Sequence, residues 1–144
     1  MTTAIVSVLS IVYNQRKTKE REIAESHRQQ KIDLYKKFMD NVVVGALRLA
    51  KDKADDADLQ KHLETFFLDF TANLIVWGSP GVIHEYTKSR KSGNQPQMLL
   101  QIDDVLRAIR EDLGHSNRRI GRGDLIALFL TDPERLKELT QVDR

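Results

Sequence analysis

Between Thr2 and Gly78 the chain contains no proline and a single glycine, Gly45. Proline and glycine are the residues that end helices and open turns, so a stretch this long without them favours long helices. The other six glycines and all three prolines fall at Gly78 or later. The expected class is all-α: a long N-terminal helix continuing into an antiparallel helical bundle, with short helices at its C-terminal end.

Apolar spacing supports that class. Tyr35, Phe38, Val42, Ala46 and Leu49 step by three or four, which lines up one face of a helix. Leu59, Leu63, Phe66, Phe70, Leu74 and Trp77 form a second stripe, and Met98, Ile102, Val105, Ile109 and Leu113 a third. Asp55, Asp56 and Asp58 are candidate N-caps between the first two helices. Gly78 suits a left-handed helix end, with Ser79 capping the next helix and Pro80 at its first position. Lys88, Arg90 and Lys91 then complement that helix's C-terminal dipole. Pro96 opens the third long helix, and Thr131 with Glu134 reads as a capping box near the end. Gly45 either lets two helices approach closely or breaks the first. Asn73, beside the second stripe, reads as a satisfied core amide.

Composition bounds the function. A chain of 144 residues suits one domain with a proper core. Its formal charge of +2 gives no concentrated basic excess, which makes nucleic acid an unlikely partner. The absence of cysteine excludes a disulfide scaffold, a thiolate metal site and a thiol nucleophile. No metal site, cofactor or catalytic residue is assigned.

The front end divides into two pieces. Residues 1–13 form an apolar segment in which Ile5, Val6, Val8, Leu9, Ile11, Val12 and Tyr13 are the membrane-contacting candidates. Arg16, Lys17, Lys19 and Arg21 follow as a basic collar, the reverse of a secretory signal's order. By the positive-inside rule the collar puts the rest of the chain in the cytoplasm. Twelve helical residues rise only about 18 Å against a hydrocarbon core of roughly 30 Å. The segment therefore dips into one leaflet or belongs to a longer span. Residues 14–31 are polar all round apart from Ile23 and Ala24, as in a solvent-bridging stalk, with Arg16–Glu20 and Arg21–Glu25 spaced to pair. Residues 32–144 are the helical domain.

The densest polar stretch is "EDLGHSNRRIGRGDL", residues 111–125. Arg118, Arg119 and Arg122, with His115 and Asn117 beside them, form a candidate anion or phosphate cradle. Asp112, His115 and Ser116 invite a hydrolase reading, but sequence neighbours rarely meet in nucleophile–base geometry and no nucleophile elbow is present. The favoured reading is a self-bonded structural corner built from Trp77, Gly78, Asp112, Gly114, Gly123 and Asp124. There Gly114 stops the third helix, Asp112 accepts from the turn's own amides, Asn117 makes a tight turn and Asp124 caps the next helix. Asp103–Arg107 and Arg107–Glu111 read as i,i+4 pairs on a solvated face.

"NLIVWGSPGVI", "LLQIDDVLRAIREDLGHSN" and "GDLIALFL" together resemble a scattered group of small uncharacterised bacterial proteins. The likeness covers roughly Arg16 to Leu130. It implies one N-terminal transmembrane helix, a charged stalk and a cytoplasmic helical domain, and it implies no reaction. The expected protein is thus non-enzymatic and membrane-associated, its domain working by contact with another protein or by self-association. The alternative is a soluble domain that binds a phosphate-bearing ligand or nucleic acid through Arg118, Arg119 and Arg122.

Overall fold

The computed structural model describes residues 2–43, 45, 57–91, 95–130, 132 and 134, and among them every regular element is helical. Helix α1 spans Thr2–Phe38 and runs without a break into a π turn, Met39–Val43. Helices α2 (Ala57–Trp77), α3 (Pro80–Ser89), α4 (Gln95–Asp112) and α5 (Asp124–Ala127) follow. Asp55, Asp56, Ala46, Leu49 and Thr131 lie outside the described residues.

At 37 residues α1 is about 55 Å long. Its side chains are exposed from Ala4 through Gln30, and burial begins at Lys31. From there α1 turns Leu34, Tyr35 and Phe38 inward, and the π turn adds Val42 and Val43. Helix α2 lies antiparallel to α1: Trp77 meets His27, Phe70 meets Phe38, and His62 meets Asn41. Gly45 sits where a Cβ would come 3.0 Å from Leu63 Cδ2, which supports the close-approach reading of that residue.

The core is one cluster in which Phe38, Phe70 and Tyr86 pack ring on ring between α1, α2 and α3. Helix α4 contributes Ile102, Val105 and Ile109 as its spacing predicts, and also buries Leu99, Leu100 and Leu106. Ile126 of α5 closes the end. Asn73 differs from expectation. It bonds Asp69 of its own helix rather than a core partner.

Two glycine assignments part company. Gly114 adopts φ 88° and closes a Schellman end on α4, with His115 N–H donating to Arg110 O at 2.8 Å and Gly114 N–H to Glu111 O at 3.0 Å. Gly78 is not left-handed, since Gly114 and Gly123 are the positive-φ glycines described. It is required for space instead: a Cβ there would lie 2.6 Å from Leu74 O and 2.6 Å from Leu74 Cδ1. Ser79 caps α3 as expected, accepting from Val82 N–H at 3.4 Å.

Candidate functional site

Three surfaces carry the molecule's unusual chemistry, and the corner after α4 is the most polar. Its groups bond mainly to one another. The Asp103 carboxylate, 0% exposed, accepts from the amides of Gly123 at 2.8 Å and of Leu125 and Ile126 at 2.9 Å, so it caps α5 from the middle of α4. Asp124 does not cap α5, because Gly123 is the N-cap at φ 94°; Asp124 instead accepts from Gly121 N–H at 2.6 Å. Arg107 donates to the carbonyls of Ile120 and Gly121. The expected Asp103–Arg107 and Arg107–Glu111 pairs are thus replaced by contacts across the corner, where the guanidinium meets two carbonyls at once while Asp103 and Glu111 take other donors.

Asn117 is buried, donating to Arg107 O and Glu111 Oε1 while accepting from Arg110 Nε at 3.1 Å. Arg122 forks onto Asp104, with Nη2 at 2.6 Å and Nε at 2.9 Å from its two oxygens, and this bond raises the arginine's pKa above its ordinary value. Of the cradle candidates, Arg118, Arg119 and His115 are left exposed, whereas Asn117 and Arg122 serve the corner itself.

Asp112 departs from its expected role as an acceptor of turn amides. Its oxygens take Lys31 Nζ at 3.0 Å and Tyr35 Oη at 2.5 Å, so it latches α4 to α1. Both donors lie on one face of α1 and turn the carboxylate toward that helix. Desolvation by burial, followed by the bond to Asp112, holds the Tyr35 hydroxyl well above the ordinary tyrosine range. Among the described residues no group of three histidine or acidic side chains could hold a metal ion.

The second surface is the tip of α1. Ile5, Val6, Val8, Leu9, Ile11, Val12 and Tyr13 are all exposed. At 100° per residue the six aliphatic side chains occupy most of the helix circumference, with Ser7 and Ser10 in the remaining sector. Ser10 Oγ donates to Ser7 O at 2.9 Å, so its hydroxyl is satisfied within the helix. Lys17 reaches back over the Tyr13 ring, 5.7 Å from its centroid. Among the described residues no helix is long and apolar enough to cross a membrane. The expected transmembrane helix is therefore not found there, because the charges from Arg16 onward end the apolar run. Neither Arg16–Glu20 nor Arg21–Glu25 is among the ion pairs of the described residues, as expected of weak pairs between fully solvated side chains.

The third surface escaped the sequence reading. Leu68, Ile75 and Val76 on α2 are 76%, 75% and 68% exposed. Leu68 and Ile75 line an open groove of about 830 Å³ between α2 and α3, with Phe67, Ala72, Ile83 and Thr87. The signal was present: Thr65, Leu68, Ala72 and Ile75 repeat every three and four residues beside the buried stripe.

Comparison with family models, curated proteins and solved structures returned no match to this chain.

Proposed function

We propose that this is a non-enzymatic, membrane-associated protein whose helical domain stands in the cytoplasm on a charged rod and acts by protein contact, self-association included. The observation that carries the reading is the tip of α1, where all seven apolar candidates between Ile5 and Tyr13 project into solvent and none packs on the body. A helix that is apolar around most of its circumference is suited to lipid or to several neighbouring helices, not to one flank of a small domain. The Tyr13–Lys17 pair and the basic residues after it match an interfacial belt with its charge on the cytoplasmic side.

Distance refines the arrangement. Asp112 is bonded to Lys31, so the arginine corner lies at the level of that residue, 18 positions beyond Tyr13. An upright rod separates the two by about 27 Å. That exceeds a Debye length of about 8 Å, so Arg118 and Arg119 are remote from lipid headgroups. No observation favours the phosphate-ligand alternative, since Arg122 and Asn117 are bonded inside the corner.

The test is flotation of the full chain, and of a chain lacking residues 2–13, with vesicles containing anionic lipid at low and high salt. The full chain should float at both salt concentrations, because apolar insertion survives screening. The shortened chain should stay below the gradient at high salt. Release of the full chain by salt would show that its collar alone touches lipid, and the anchoring would be wrong.

A further inference from the structure

Beside the α2–α3 groove, and sharing three of its lining residues, is a second, smaller cavity of about 150 Å³ that reaches inward to the buried Phe38, Val42, Tyr86 and Ile102. Its walls are almost wholly carbon. The Tyr86 hydroxyl is occupied with Thr71 at 3.2 Å, and Ser89 Oγ donates to Tyr86 O at 2.7 Å. Among the described residues no buried side-chain nitrogen or oxygen lacks a partner, so nothing in the cavity calls for water. With such walls the cavity offers water few polar partners and favours a hydrocarbon guest.

Phe67, Tyr86 and Arg90 border both the inner cavity and the groove, and so form the partition between them. The Arg90 guanidinium rests over the Phe67 ring, 4.5 Å from its centroid, and Arg90 is exposed. Lys91 follows at the same mouth, where Glu64 is the one carboxylate among the described lining residues. Two cations against one anion, set beside an apolar cavity, are the two halves of a site for an amphiphile.

We infer that this end of the groove binds a single-chain alkyl carboxylate, its chain passing Phe67 into the inner cavity and its head meeting Arg90 and Lys91. A protein laid over the groove would cover Leu68 and Ile75 but leave the inner cavity empty. A flexible chain of about six carbons has the bulk of a guest that a cavity of this size takes. The inference is independent of membrane anchoring, because the mouth belongs to the domain and not to the tip of α1.

The full chain is titrated with octanoate below its micelle-forming concentration, alongside butanoate and octylammonium, with binding followed by calorimetry and by methyl NMR. Octanoate should bind at least about tenfold more tightly than either comparator, since the first lacks chain and the second repels the cations. The Val42 and Ile102 methyl resonances should shift. Arg90→Gln combined with Lys91→Gln should weaken octanoate about tenfold, while the unliganded melting temperature falls by no more than the few degrees that loss of the Arg90–Phe67 contact costs. The inference is overturned if octanoate fails to bind, if octylammonium binds equally well, or if the double variant binds octanoate unchanged. Resonance shifts confined to Leu68 and Ile75 overturn it too, since they report adhesion to the outer rim.

Discussion

Asp103 carries more of the corner than any arginine around it. Its carboxylate holds three amides 20 to 23 positions along the chain and has no exposed surface. Hydrogen bonds to a charged acceptor contribute about 1.5–3 kcal/mol each and do not add simply. Asp103→Ala is therefore expected to cost about 3 kcal/mol in urea unfolding, with Asp103→Asn costing less because it keeps one acceptor oxygen. Arg119→Ala, on an exposed side chain, should stay within about 0.5 kcal/mol of the parent. An Asp103→Ala variant as stable as the parent would show that α5 needs no cap from α4. None of this was legible at the residue scale. Counting i,i+4 neighbours assigned Asp103 to Arg107, since a one-dimensional rule sees a carboxylate's own helix and not the turn folded back over it.

At the scale of elements, α1 is fastened to the body by a latch as well as by its apolar stripe. Lys31 and Tyr35 stand one turn apart on α1, and both donate to Asp112 at the end of α4. Burial and this bond raise the folded-state pKa of Tyr35 above the ordinary value of 10.0. A proton held more firmly in the folded state gives stability that is complete below pH 10 and is lost as pH climbs through the raised folded-state value. Chemical unfolding measured across the alkaline range should show this decline, and Tyr35→Phe should flatten it at a cost in stability at neutral pH. An alkaline limb identical in both proteins would remove Tyr35 from the latch. The glycines at the element ends divide in the same spirit. Gly114 was readable because a left-handed residue after a helix is a local event, whereas Gly78 is fixed by how near Leu74 approaches.

The whole molecule presents a rod with an apolar tip and a body with an apolar ridge. Thr65, Leu68, Ala72 and Ile75 carry the heptad spacing of a helix–helix seam, which makes a second copy's α2 a fitting occupant. Rods rooted in one surface would bring two copies together with their α2 helices parallel. Glu64 would then lie near Asp69 of the other copy, so association should tighten as salt screens that repulsion. Sedimentation of the full chain in detergent micelles is expected to show a self-associated species that Leu68→Glu and Ile75→Glu each convert to monomer. A monomer at every salt concentration, or loosening with salt, would exclude this seam.

The sequence by itself determined the helices, much of the core and the helix end at Gly114. Those follow from breaker placement and from three-and-four spacing, which act within a single element. The partners of Asp103, Asp112 and Arg122, the steric need for Gly78 and the groove beside Phe67 were decided by the tertiary structure alone. Each depends on which helix ends arrive beside one another, and residues far apart in the chain become neighbours only when the bundle closes.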